Sequence, residues 1–418
     1  NIGCEKMYIA VMGYGTVGSG VVEVFLKNHD SIIKKCGQSQ LDLKYILDLR
    51  DFPNDPNKDK FTKDFNDILN DDEVKIVVET MGGLHPAFEF VSSLLKAGKS
   101  VVTSNKELVA AKGYELLSIA EENNVNFLFE ASVGGGIPII RPISQCLAAN
   151  EIDEIAGILN GTTNFILTMM IEKNMSFGDA LKLAQENGYA EKDPTADIEG
   201  HDACRKICIL ASLCFGKHVY PESVHTEGIT KVTLSDVAYV NNLGGVIKLI
   251  GRAKRLGNGK ISAVVSPCVV MASSQLANVS DVFNAILVRG DAIGDVVFYG
   301  RGAGKLPTAS AVVADVIDCA KHTNRKKIFG WGPSEDGYVV DYEELDTALF
   351  VRATADDIEK AKAAVEKVFG TVKFVSRDNQ PENEFAFVTD NEKEKELVAK
   401  LDSISEIKPC SVIRVSDY

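Results

Sequence analysis

The segment Met12-Gly13-Tyr14-Gly15-Thr16-Val17-Gly18 constrains this chain more than any other. It follows an apolar run, 7–12, and precedes a helical stripe of Val17, Val21, Val24 and Phe25. A G-x-G-x-x-G turn between strand and helix gives its glycines three jobs: a tight turn, close approach of backbone to a pyrophosphate, and close helix–strand packing. The pyrophosphate then meets the positive helix N-terminus. Gly13, Gly15, Thr16, Val17 and Gly18 are therefore the candidate dinucleotide contacts.

Further strand-like runs follow at 43–49, 75–79, 100–103 and 126–130, with helical patterns between them. Strands without polar alternation are covered on both faces, which indicates a parallel sheet. Alternating strands and helices make residues 1–130 a doubly wound, Rossmann-type α/β domain. The second strand ends in Leu47-Asp48-Leu49-Arg50-Asp51. A carboxylate there suits the ribose 2′-hydroxyl of NAD, and an arginine suits the 2′-phosphate of NADP. Arg50 tips the expectation to NADP(H), with NAD(H) the alternative.

Residues 131–330 read as an α+β domain for substrate binding, catalysis and dimerisation, with Gly-rich turns at 134–136, 160–164 and 300–304 and a helix at 308–322. A turn-rich linker surrounds Gly330-Trp331-Gly332-Pro333. Residues 344–418 form a separate module: strand 348–353, helix 356–369, strands 372–376 and 384–389, helix 392–401, strand 411–415. That βαββαβ order is ferredoxin-like.

The net charge of −14 and pI near 5.0 argue against nucleic acid as a partner, because phosphate contacts need clustered Lys and Arg. No run of 18 apolar residues suggests a membrane span, and no secretory signal is visible. Nine cysteines without a Cys-x-x-Cys pair read as reduced thiols, so a cytoplasmic setting is expected.

Carboxylates crowd the segment Gly188-Tyr189-Ala190-Glu191-Lys192-Asp193-Pro194-Thr195-Ala196-Asp197, which runs on through Gly200, Asp202 and Lys206. Ala203, Ile207, Leu210, Ala211 and Cys214 then mark a helical stripe. Asp202 and Lys206, four apart, share a helix face beside it. One reading is an exposed pair worth roughly 0.3–0.5 kcal/mol. The other is a carboxylate and an ammonium lining a substrate pocket.

The pattern from Gly188 to Lys206 resembles the signature of the homoserine dehydrogenase family. Ser104-Asn105-Lys106, the stretch Glu130 to Pro138, Asn160-Gly161-Thr162-Thr163-Asn164 and Gly302-Ala303-Gly304 resemble further elements of that family, in the same order, over residues 7–316. The resemblance implies reversible NAD(P)-dependent hydride transfer between L-homoserine and L-aspartate 4-semialdehyde, in threonine, methionine and isoleucine biosynthesis. It implies Lys206 as proton donor and acceptor, Lys106 as a second candidate beside the nicotinamide, and Asp202 as an orienting or substrate-binding carboxylate. Glu191, Asp197, Gly161 and Thr162 are implied on the substrate, and Gly302 on the cofactor. Glu130, Val133, Gly135 and Ile137 match a site for a monovalent cation, Na+ or K+. The C-terminal module resembles an ACT domain, which implies L-threonine as an effector, although its first turn, Thr354-Ala355-Asp356-Asp357, lacks the usual Pro-Gly. A homo-oligomer, dimer or tetramer, is implied as well. The competing readings are a dehydrogenase for another amino or keto acid and a non-catalytic metabolite sensor.

Overall fold

The computed structural model describes residues 6–37, 40–323 and 325–418. Cys4 lies outside them, and the eight described cysteines are free thiols. The chain divides into two units. The first comprises residues 1–150, 208–221 and 300–335, the second 151–207, 222–299 and 336–418.

The first unit opens with β1 (Met7–Met12), α1 (Thr16–Lys27), α2 (His29–Cys36), β2 (Leu41–Leu47), β3 (Phe61–Thr62), α3 (Phe65–Leu69), β4 (Val74–Glu79), α4 (Ala87–Lys96), β5 (Ser100–Thr103), α5 (Lys106–Glu122) and β6 (Phe127–Leu128). The six strands form a parallel sheet in the order β3-β2-β1-β4-β5-β6. Met12 pairs with both Leu47 and Glu79, so the carboxyl ends of β1, β2 and β4 are level. The chain order turns back on either side of β1, which is the crevice where open α/β sheets bind ligands.

The second unit begins with β7 (Ile152–Ile158), α6 (Gly161–Lys173), α7 (Phe177–Glu186), α8 (Thr195–Ile198) and the start of α9 (His201–Phe215). It continues through β8 (His225–Thr226), α10 (Leu234–Leu243), β9 (Gly245–Arg255), β10 (Ile261–Met271), β11 (Phe283–Gly290) and β12 (Gly294–Arg301). The helix α11 (Lys305–Lys321) belongs to the first unit, where Ala309, Val312 and Val316 share a core with Val21, Phe25 and Ile9. The sequence places this helix at 308–322; it starts three residues earlier, through Pro307 in its first turn, where a missing N–H costs nothing.

The C-terminal stretch supplies β13 (Asp346–Thr354), α12 (Ile358–Phe369), β14 (Lys373–Val375), β15 (Glu384–Val388), β16 (Glu392–Lys393), α13 (Glu394–Asp402) and β17 (Lys408–Val415). It has its own core, including Leu349, Phe385, Phe387 and Leu397. Its strands nevertheless continue the sheet of the second unit: the order is β12-β11-β7-β9-β10-β17-β13-β15-β14. β17 joins β10 in parallel, with Cys268 opposite Arg414, between the antiparallel pairs β9–β10 and β17–β13. Among the described residues, no helix is long and apolar enough to cross a membrane.

Candidate active site

In the glycine turn, a Cβ on Gly18 would sit 1.9 Å from the Gly13 carbonyl oxygen, so only glycine lets α1 approach β1 this closely. A Cβ on Gly15 would meet nothing within 4 Å. Gly15 is also the N-cap of α1 and brings no capping side chain. Open space thus faces a helix start whose amides no side chain caps among the described residues, which is what a pyrophosphate needs. At the end of β2, Asp48 accepts from the Tyr14 amide at 2.8 Å. It also accepts from Arg50 Nε at 3.0 Å and from a terminal guanidinium nitrogen at 2.9 Å. The Arg50 guanidinium holds the Asp48 carboxyl down at about 2, against the opposing effect of burial. Arg50 itself is exposed and lies 5.3 Å over the Phe52 ring.

Lys106 opens α5. Asn105 caps that helix by accepting from Leu108 N at 3.1 Å, and its amide donates to the Gly83 carbonyl at 2.6 Å. Asn105 N donates in turn to Thr103 Oγ1 at 2.9 Å, and Thr103 Oγ1 donates to the buried Glu79 at 2.7 Å. Lys106 therefore sits on a turn fixed from three sides.

The stretch 130–137 is tied to the loop around Gly302. Gly136 N donates to Arg301 O at 3.0 Å. Gly135 has φ +57°, and a Cβ there would fall 2.2 Å from Gly302 O. Glu130 turns inward: its carboxylate accepts from the amides of Ile139, Ile140 and Arg141 at 3.2, 2.6 and 3.1 Å. Arg141 bridges Glu130, Asp318 and Asp315 from a half-buried position. Asp315 accepts from Glu130 N at 2.9 Å, and burial pushes its carboxyl up to about 7.

The second unit assembles the carboxylate–lysine set. Asn160 caps α6, its Oδ1 accepting from Thr163 N at 2.8 Å. Its Nδ2 donates to Asp197 Oδ1 at 2.7 Å and to Asp202 Oδ2 at 2.9 Å. Lys206 Nζ lies 2.9 Å from that same Asp202 oxygen and donates to Leu159 O at 2.8 Å. Lys206 is 7 % and Asp202 4 % exposed, so the exposed-pair reading of this helix face does not hold. Thr162 Oγ1 donates to Tyr189 O at 2.6 Å, which fastens α6 to the 188–194 loop. Glu191 is exposed on that loop, where Gln185 holds its backbone carbonyl at 3.0 Å.

Asp197, Asp202, Lys206, Gly161 and Thr162 are thus brought together in the second unit. Gly13, Gly15, Thr16, Val17, Gly18, Arg50, Lys106, Gly302 and the stretch 130–137 belong to the first. Asn160 and the Leu159 carbonyl were not singled out from the sequence as site residues. The signal for Asn160 was present, since an Asn ahead of Gly-Thr-Thr and an apolar run is an N-cap pattern.

Family models match both halves of this arrangement: the homoserine dehydrogenase NAD binding domain over residues 13–130, and homoserine dehydrogenase over residues 138–317. A homoserine dehydrogenase of Pseudomonas aeruginosa is 40% identical over 361 residues, covering 84% of this chain and 83% of that protein. One from Bacillus subtilis is 41% identical over 322 residues, covering 76% and 74%. A homoserine dehydrogenase structure from Thiobacillus denitrificans superposes with TM-score 0.88 at 35% identity, over 99% of this chain and 98% of that one. A hyperthermophilic archaeal homoserine dehydrogenase in complex with NADPH gives TM-score 0.63 at 29% identity, over 75% of this chain and 97% of that one. An uncapped glycine turn on a parallel sheet and a buried carboxylate–lysine set, matched on both sides by these models and relatives, mean that the chain belongs to the homoserine dehydrogenase family, whose members are NAD(P)-dependent oxidoreductases.

Proposed function

We propose that this chain interconverts L-homoserine and L-aspartate 4-semialdehyde, with Lys206 as the group that moves the proton. The observation that carries this is the buried Asp202–Lys206 pair, clasped by Asn160 at the start of α6. A nicotinamide dinucleotide, when bound, supplies or accepts the hydride. The open space at Gly15 and the uncapped start of α1 fit its pyrophosphate. Lys206 Nζ donates a proton to the aldehyde oxygen as charge develops there, and takes it back from the homoserine hydroxyl in the reverse direction. Asp202 keeps the ammonium aimed, and Asn160 keeps Asp202 aimed. Asp197, Thr162, Gly161 and the exposed Glu191 contact the amino-acid end of the substrate. Lys106 serves the cofactor side and is the second proton-transfer candidate.

The test is absorbance at 340 nm with L-homoserine and NADP+ or NAD+ at alkaline pH. A rise supports the reading. Folded protein that binds a dinucleotide but gives no rise with either would overturn it in favour of another substrate or a sensor.

NADP(H) is the proposed preferred cofactor. Arg50 neutralises Asp48 while leaving its guanidinium exposed over Phe52, ready to meet a 2′-phosphate. A charge-assisted hydrogen bond of about 1.5 kcal/mol predicts that Arg50→Ala raises KM for NADP+ roughly tenfold and leaves KM for NAD+ nearly unchanged. Equal shifts for both cofactors would return Arg50 to a salt-bridge role.

A monovalent cation fits the stretch 130–137 through backbone carbonyls of Val133, Gly135 and Ile137. None of these three is an acceptor in the backbone bonds of the described residues. The Glu130 carboxylate is spent on three amides, so it leaves only a main-chain carbonyl to offer.

The order β17-β13-β15-β14, crossed by α12 and α13, supports a ferredoxin-like, ACT-like module within residues 344–418, beside proposed domains 1–130 and 131–330. L-Threonine at millimolar concentration is then expected to inhibit the chain. A cut after residue 330 is a poor control, because it strips β17 from β10. Charge reversal at Asp356, in the first turn of the module, tests the effector site without that damage. Inhibition untouched by Asp356→Arg would take this turn out of the mechanism. A homo-oligomeric, cytoplasmic enzyme of threonine, methionine and isoleucine biosynthesis completes the proposal.

A further inference from the structure

β7 stops at Ile158, but its neighbours run on. Gly157 pairs with Gly251 of β9, and Ile158 with Ala285 of β11. Beyond that point, side chains bridge β9 to the entry of β11. Asn164, in the first turns of α6, donates from Nδ2 to the carbonyls of Val279, Asp281 and Phe283 at 3.0, 3.1 and 3.2 Å. From β9, Lys248 Nζ donates to Asn164 Oδ1 at 3.2 Å and to the Val279 carbonyl at 2.5 Å. Lys248 is 2 % exposed. Among the described residues no carboxylate forms an ion pair with it; burial pulls its ammonium down to about 8, against a weaker opposing effect of the Glu172 charge on α6.

A buried, unpaired ammonium costs folding free energy that an aliphatic side chain in the same strand would not. What Lys248 holds is the underside of α6. The turn it fastens, 279–284, presses on the first residue of that helix: a Cβ on Gly161 would lie 2.7 Å from Val282 O and 3.6 Å from Asn284 Oδ1. Asn284 Oδ1 is itself buried without a partner. One residue before Gly161 stands Asn160, whose amide grips Asp197 and Asp202.

We propose that Lys248 is a positioning residue for the reaction: by locking Asn164 and the Val279 carbonyl it fixes the first turn of α6, and through Asn160 it sets the aim of the Asp202–Lys206 pair. This rests on the dehydrogenase reading given above. It separates Lys248 from the residues that touch substrate or cofactor.

The variants Lys248→Met and Asn164→Leu, and their combination, test it in the full chain. Each single change is expected to lower kcat about 10- to 100-fold, the size of effect that a small misplacement of reacting groups produces. Cofactor stoichiometry and cofactor KM stay as in the parent, and the thermal midpoint of Lys248→Met does not fall in proportion to the lost activity. The double variant is no worse than the poorer single, because both break one device. A folded Lys248→Met with parental kcat overturns the proposal, and so do losses that multiply in the double variant. If neither single variant folds, the cluster is a folding element and the positioning role is lost as well. A parent chain with no homoserine-dependent turnover would instead sink the dehydrogenase reading, so the two failures are distinguishable.

Discussion

Lys206→Met should cost roughly 10²- to 10⁴-fold in kcat, the range a positioned proton-transfer group contributes. Methionine keeps most of the unbranched side chain and removes the ammonium, so the packing of α9 is preserved. Asp202 would lose its partner at 2.9 Å but keep the Asn160 amide at 2.9 Å, which limits the structural damage. Cofactor affinity should hold, because the glycine turn lies in a different unit of the chain. The check is a steady-state comparison at saturating homoserine and cofactor, with dinucleotide binding measured on the same preparation. Unchanged kcat would transfer the proton-moving role to Lys106. A loss of cofactor binding equal to the loss of turnover would mean that Lys206 is structural.

The second large effect concerns stability. Arg141 bridges Glu130, Asp315 and Asp318, while Lys327 and His322 pair with Asp318. Arg141→Met should cost about 3–5 kcal/mol, because it strands buried carboxylates rather than removing a pair. The effect has a definite pH sign. Asp315 sits at about 7 in the folded chain against an ordinary 3.8, so the native state binds the extra proton between those values. Stability from a raised carboxyl is present at low pH and is lost as pH rises through the folded value. Removing the neighbouring guanidinium raises that value further. The variant should therefore lie closest to the parent near pH 5 and fall furthest behind above pH 7, as denaturant midpoints would show. A penalty independent of pH would mean that the carboxylates are already neutral or hydrated.

Much of the first unit was legible because its signals are local. Unbroken apolar runs and a glycine turn identify β1, α1 and the cofactor end of the sheet without any long-range information. The errors are instructive. The pattern places the second strand at 43–49, but it runs from Leu41 to Leu47, and the Asp48 side chain turns to Tyr14 N and Arg50. The run 126–130 shortens to Phe127–Leu128, because the Asn126 amide is drawn to the carbonyls of His322 and Arg325, and Glu130 N to Asp315. Those partners are nearly two hundred residues away, beyond any local pattern. Lys248 was invisible for another reason. One lysine in the run Gly245-Val246-Ile247-Lys248-Leu249-Ile250 reads as a solvent-facing position in a strand, and its burial shows only in the bonds to Asn164 and Val279. The alliance of β17 with β10 was equally hidden, because a parallel pair joined across so long a connection leaves no mark at short range.

The place of α11 bears on how the chain is made. Its residues Ala309, Val312 and Val316 complete the core against Val21 and Phe25 of α1. At roughly 5–20 residues per second, about 155 residues separate the end of the first segment at Asn150 from the start of this helix at Lys305, a delay on the order of ten to thirty seconds. During that interval Val21 and Phe25 of α1 lack the residues of α11 that cover them in the folded chain. Their burial, and with it a settled start for α1, comes only after the strands β7 to β12 have been made. The glycine-turn domain precedes the second sheet in the chain, yet its core closes only when α11 arrives.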